Sequence, residues 1–269
     1  MSDILETIRD FAPTSGLHAD RTTWKGYMTE AKVMGSAMIK PKNRDVSKFL
    51  IIARARSGTT LLTNLLDAHP DVTCDREVLA KRVRAPQAYL NALAGKSSTK
   101  AYGAKLLSYQ MVLVQDFRDP IGFLRGLQTQ GFKLIHLRRD TFAQTVSLTR
   151  AQSSQLYHSK KGGGASSAVI DPDEFLRRLR WNAKLADYED HCLAGLDPLR
   201  LSYESDLAES DQQSGTANKV FERIGVSPAD VTASLKKILP SDPRAALENY
   251  AEIEAAAQKA GLGHLFPGE

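Results

Sequence analysis

From Phe49 onward the chain alternates short apolar runs with stretches whose apolar residues recur at helical spacing. The runs at 49–53, 71–75, 99–106, 132–137 and 198–203 read as strands, with "FKLIHL" and "PLRLSY" the clearest. Between and after them, 60–68, 85–93, 120–130, 141–155 and 172–193 read as helices. This alternation predicts an α/β fold: a mostly parallel central sheet flanked by helices on both faces. Ligands of such sheets bind beyond the carboxyl ends of the strands, so chemistry is sought in the strand-to-helix turns.

Outside this region the pattern weakens. Residues 1–47 are polar and irregular after a short amphipathic start at Ile4, Leu5 and Ile8, and they end in the basic "IKPKNRDVSK", which predicts an N-terminal extension. The segment 159–173, "SKKGGGASSAVIDPD", has the composition of a lid or of a plain linker. Past Asn218, "NKVFERIGV" and "AALENYAEIEAAAQKAG" are helical, the second ending at a glycine suited to a C-cap. At 269 residues and 42% apolar content, a single domain over 1–269 is expected. The net charge of +5 favours anionic partners, whether nucleotide, nucleic acid or membrane surface, without choosing among them. Cys74 and Cys192 lie far apart in a chain with no leader-like start and no apolar run of about 18 residues. That predicts a cytoplasmic protein with two unpaired thiols and no transmembrane segment.

The first strand runs into "ARARSGTT" and then a helix. A glycine-containing turn there aims unpaired N–H groups and the positive end of the helix dipole at one point, which suits an anion. Arg56 and the hydroxyls of Thr59 and Thr60 add charge-assisted hydrogen bonds. The bland alternative makes Ser57 the N-cap and leaves the arginines solvated. Against the Walker A pattern, Ala53 stands at the first glycine, Gly58 keeps the second and Thr59 replaces the lysine that a triphosphate needs. The loop is therefore P-loop-like but poorly equipped for ATP or GTP chemistry. A second basic turn follows "FKLIHL", where Arg139 ends the strand and Ser147 lies two turns along the next helix. A guanidinium fork beside a hydroxyl suits a second phosphate; Asp140 as N-cap with Ser147 as a packing residue is the alternative.

Two such turns imply one ligand with phosphates at two positions. "ARSGTTLL" resembles the 5′-phosphosulfate loop of the sulfotransferase family, and Arg139 followed by Ser147 is similar to that family's 3′-phosphate motif. "RLSYESDL" resembles its Tyr-Glu-Asp segment, with Ser205 in place of the aspartate. The resemblance covers roughly 49–207 and is nearest to bacterial carbohydrate sulfotransferases, of the trehalose- and nodulation-factor-sulfating kinds, as "LRRDTFAQTVSLTRAQ" and "YGAKLLSYQ" illustrate. It implies 3′-phosphoadenosine 5′-phosphosulfate (PAPS) as co-substrate, bound by Arg56, Ser57, Gly58, Thr59, Thr60, Leu61, Arg139, Ser147 and Tyr203. The family's later arginine-lysine-glycine loop has no counterpart, and Arg244 stands in the corresponding stretch.

In-line sulfuryl transfer needs charge stabilisation on the leaving oxygen and a base for the attacking hydroxyl, the base contributing roughly 10²–10⁴ in rate. By resemblance Arg56 stabilises the leaving phosphate, Lys105 lies near the transferred group and Glu77 in "CDREVL" is the base. Glu77 alternatively opens the next helix or pairs with Arg76 or Lys81. Among the histidines, His69 and His136 read as structural, while His158 is a candidate to face the acceptor. The spacing of His18, His191 and His264 suggests no metal. The acceptor implied is a carbohydrate or glycolipid hydroxyl, in a pocket built by 77–87, 152–173 and the N-terminal extension, and relatives suggest a homodimer. A phosphate-loop kinase or other nucleotide-binding protein is the second reading. A nucleic-acid-binding module, supported by charge alone, is the third, and no nucleic acid is expected as partner.

Overall fold

The computed structural model describes residues 2–11, 24–39, 45–158, 169–233 and 242–267. Strands β1 (Ser47–Ala53), β2 (Val72–Asp75), β3 (Ala101–Leu107), β4 (Phe132–Arg138) and β5 (Leu199–Ser202) form a sheet in the order β2-β3-β1-β4-β5. Every neighbouring pair is parallel. The helices are α1 (Ser2–Phe11), α2 (Trp24–Ile39), α3 (Thr59–Asp67), α4 (Pro86–Gly95), α5 (Pro120–Thr129), α6 (Thr141–His158), α7 (Pro172–Cys192), α8 (Ser210–Ile224) and α9 (Tyr250–Lys259). The α/β architecture with helices on both faces is the one the periodicity predicts.

The unbroken apolar run "FLIIA" is what a central parallel strand requires, since both its faces are covered. Leu50 and Ile52 point into a core with Leu106, Leu134, Trp181 and Tyr188, on the α7 side. Phe49, Ile51 and Ala53 point the other way, against Leu62, Leu66, Val220 and Phe221 of α3 and α8. A third cluster joins Phe142, Phe175, Ile253 and Phe266, fixing α9 to α6 and α7. Three helix starts carry an aspartate cap: Asp119 accepts from the Gly122 amide, Asp140 from Ala143 and Asp171 from Glu174. Two of these aspartates precede a proline at the first helical position, a residue with no N–H to leave unsatisfied.

The stretch before β1 differs from the irregular extension expected. It contains two helices: α1 docks on α7, where Trp181 Nε1 donates to the Ile8 carbonyl at 3.1 Å, and α2 lies over the segment preceding α4. The apolar residues of α2 keep to no single stripe, and Trp24 and Met28 are exposed, so helical periodicity did not mark it. Two wide π-type turns were likewise unmarked, Gln110–Val114 after β3 and Tyr203–Leu207 after β5. Of the 159–173 segment, residues 159–168 lie outside the described residues, as do His18 and the side chain of His158.

The chain leaves β1 toward β2 at one edge and leaves β4 toward β5 at the other. Neighbouring strands with diverging connections open a crevice at their carboxyl ends, here between β1 and β4. Among the described residues no helix is long and apolar enough to cross a membrane. Both cysteines are buried and unpaired with each other.

Candidate active site

The turn from β1 to α3 takes two left-handed residues, Arg56 at φ 65° and Gly58 at φ 89°. Gly58 is the N-cap, and no side chain caps α3, so the first amides of the helix have no side-chain acceptor. Ser57 does not cap it: its Oγ is fully buried and has no hydrogen-bond partner. A Cβ on Gly58 would come within 2.5 Å of Tyr203 Cδ2, so the absence of a side chain there lets the tyrosine ring lie against the turn. Thr59 is buried, Thr60 is exposed, and Leu61 packs at the margin of the α3–α8 core.

The second turn meets the first. Arg56 Nε donates to Ser147 Oγ at 3.2 Å, and Arg139 NH1 donates to the Arg56 carbonyl at 2.9 Å. The Arg139 guanidinium stacks 4.3 Å from the Tyr203 ring centroid, and its Nε lies 3.9 Å from Glu204 Oε1. Burial lowers the pKa of both arginines, yet groups starting that high keep their charge at neutral pH. Arg56, Ser57, Gly58, Arg139, Ser147 and Tyr203, spread over three separate stretches of sequence, thus come together in one basic cluster. Arg244, by contrast, is engaged with Asp242 at 3.0 Å. Position 205 carries a serine, and the neighbouring Asp206 makes the contacts that hold this turn. Asp206 accepts from the Ser202 amide at 2.9 Å and from Lys219 at 2.8 Å, which holds the turn that carries Tyr203.

Glu77 and Lys105 form a second cluster. Lys105, two residues before the end of β3 and buried, places Nζ 3.1 Å from Glu77 Oε1, while Gln110 Nε2 donates to Glu77 Oε2 at 2.8 Å. Glu77 therefore pairs with Lys105 across the sheet edge rather than with Arg76 or Lys81. Gln110 is itself fixed, its Oε1 accepting from the Leu107 amide at 3.1 Å. Tyr109 completes the cluster, and its hydroxyl pKa is raised by burial and then by the Glu77 charge.

The irregular segment between β2 and α4, which carries Glu77, is pinned from two sides. Gln115 donates to the carbonyls of Leu79 and Lys81 and accepts from the Val83 amide. Glu30 of α2 accepts from the amides of Arg84 and Ala85 at 2.8–3.0 Å. Gln110, Gln115 and Glu30 were not singled out from sequence. The only signal was two glutamines within the apolar run "YQMVLVQDF", whose burial demands partners.

Beneath the turns Arg54, Ser108, His136 and Glu189 form a buried polar network, which the exposed Arg200 joins from its rim. Glu189 Oε1 accepts from Ser108 Oγ at 2.6 Å, and Oε2 contacts His136 Nε2 at 3.2 Å and Arg54 Nε at 3.6 Å. Arg200 donates to His136 Nδ1 at 3.2 Å. His69 is held between the Asp71 amide and the Ser227 carbonyl. Both rings are buried and hydrogen-bonded within the protein. Among the described residues no group of three metal-ligating side chains converges.

Residues 49–112 match the family model described as "Sulfotransferase family". The matched segment contains the first turn, Glu77 and Lys105, but neither Arg139, Ser147 nor Tyr203. No curated protein matches the chain in sequence. Two solved structures are similar to it at low identity. One is a sulfotransferase from Alicyclobacillus acidocaldarius, 16% identical, with a TM-score of 0.48 over 81% of this chain and 94% of that one. The other is mouse sulfotransferase SULT7A1 complexed with PAP, 14% identical, with a TM-score of 0.45 over 88% of each chain.

Proposed function

We propose that this protein is a sulfotransferase that moves a sulfuryl group from PAPS to an acceptor hydroxyl, with a carbohydrate or glycolipid as the acceptor class suggested by the sequence resemblance. The observation that carries this reading is the junction of the two basic turns: Arg56 of the first donates to Ser147 of the second, and Arg139 of the second donates to Arg56. A ligand with phosphates on both sides of one ribose matches two adjoining anion sites better than a linear triphosphate does. The uncapped start of α3, the orphaned Ser57 hydroxyl and the left-handed Gly58 supply donors for the 5′ end. Arg139 and Ser147 supply them for the 3′-phosphate, with Tyr203 beside the nucleoside.

In the reaction, the acceptor O–H gives its proton to the Glu77 carboxylate as the oxygen attacks sulfur. The S–O bond to the 5′-phosphate breaks in line, releasing adenosine 3′,5′-bisphosphate. Arg56 neutralises charge growing on the leaving phosphate and cannot itself act as an acid. Glu77 is held in one orientation by Lys105 and Gln110, and by resemblance Lys105 lies near the transferred group.

A thermal-shift comparison tests the proposal. Adenosine 3′,5′-bisphosphate is expected to raise the melting temperature well above any shift given by ATP with Mg²⁺ or by a single-stranded oligonucleotide. Equal responses would favour a general nucleotide-binding protein, and an inverted order would overturn the assignment. Radiolabelled donor incubated with a metabolite extract would then identify the acceptor.

A further inference from the structure

The backbone of the two turns is tied together in a particular way. Three backbone carbonyls of the turns each accept a hydrogen bond from a side chain: Ala55 from Gln144 Nε2 at 2.6 Å, Arg56 from Arg139 NH1 at 2.9 Å, and Arg139 from Arg54 NH2 at 2.5 Å. The last two are reciprocal. An arginine of the first turn holds the backbone of the second, and an arginine of the second holds the backbone of the first.

Arg54 is unlike Arg56 and Arg139 in its surroundings. Its side chain is 2% exposed, and it has no route to a ligand in the crevice. Its fork is spent inside the protein: NH1 donates to Thr141 Oγ1 at 3.1 Å and to the Asn182 carbonyl at 3.2 Å, and Nε faces Glu189. A buried guanidinium is costly to desolvate and seldom the cheapest way to fill a core. Here it spans the β1 turn, the start of α6 and the middle of α7 at once. The planar fork suits that geometry, whereas a lysine offers one donor centre.

We propose that Arg54 is a positioning residue that clamps the two anion-binding turns into one unit, so that a phosphate bound at either turn strengthens binding at the other. This rests on the donor site proposed above. Coupling between sites is reciprocal by linkage, and that supplies a readout which loss of packing alone would not move.

The experiment titrates adenosine 3′,5′-bisphosphate, 5′-AMP and 3′-AMP into the full chain and into Arg54→Lys by calorimetry. Two ratios are read, the affinity advantage of the bisphosphate over each mononucleotide. Both are expected to fall by about tenfold in Arg54→Lys, a typical size for such coupling, with the 5′-AMP affinity changed less than about threefold. If only the advantage over 5′-AMP falls while 3′-AMP itself weakens, Arg54 serves the second turn alone and the coupling is refuted. If neither ratio falls although the unaltered chain prefers the bisphosphate, the proposal is wrong and the donor site stands. If the unaltered chain binds the bisphosphate no better than 5′-AMP, the donor site is wrong and this inference falls with it. Should Arg54→Lys not fold, Thr141→Val removes one acceptor of the same fork, and both ratios are then expected to fall by about threefold; unchanged ratios in that variant would overturn the clamp.

Discussion

Arg56 holds a left-handed backbone conformation that costs a non-glycine residue about 1–3 kcal/mol. The Arg139 hydrogen bond to its carbonyl is one of the restraints that maintain it. Gly58, two residues on, has no such latitude: at φ 89° and with Tyr203 2.5 Å from a would-be Cβ, Gly58→Ala is expected to destabilise by about 1–3 kcal/mol in urea unfolding, through backbone strain and displacement of the ring. Glu77→Gln and Arg56→Ala are expected to act mainly on turnover, each lowering it by about 10²-fold or more. Replacing the exposed Arg56 is expected to leave the melting temperature little changed, whereas Glu77→Gln also lowers it, because the buried Lys105 loses its carboxylate partner. Near wild-type turnover in Glu77→Gln would remove the base assignment and leave the donor site untouched. At this scale the sequence announced residues sitting in a recognisable motif, Arg56, Gly58 and Glu77 among them. It was silent on Arg54, Gln110 and Glu189, because each works through partners distant in the chain, and no local spacing records a hydrogen bond from residue 54 to residue 139.

Elements were legible where their start carries its own chemistry. The pairs Asp119-Pro120 and Asp171-Pro172 mark helix beginnings in sequence and cap them in the structure. The α2 helix, with apolar residues on several sides, gave no single stripe to detect. The turn bearing Tyr203 was visible as a motif but not as a shape, because its anchor is Asp206 rather than the residue at 205. Burial alone would raise the Asp206 pKa, but hydrogen bonds from Lys219, the Ser202 amide and Ser205 outweigh it and leave the group below its ordinary value. A carboxyl whose folded pKa is depressed contributes its stability above the unfolded pKa, near 4, and loses it as pH falls through the folded value. Asp206→Asn is therefore expected to destabilise by about 1–3 kcal/mol at neutral pH, a difference that shrinks in thermal melts as the pH falls below the ordinary carboxylate range.

For the whole molecule, the fold class followed from alternation alone, since a parallel sheet covered on both faces leaves continuous apolar strands separated by amphipathic helices. Joining the two basic turns required the strand order, which puts β4 beside β1 although β2 and β3 intervene in the chain. That order is a long-range property and no window of residues contains it. The same two-sided burial governs the thiols. Burial pushes the Cys192 pKa up to about 12 and raises that of Cys74 as well, so neither is expected to react with a soluble disulfide reagent near pH 8 until the chain is unfolded in urea, when both should. Finally, the two tryptophans of the chain report on different regions. Trp24 is 77% exposed, whereas Trp181 is buried with its indole N–H on the first helix. Replacing Trp24 by phenylalanine would leave a single emitter inside the protein, whose emission maximum shifts to the red as water reaches it, so that fluorescence would time the release of the N-terminal helix.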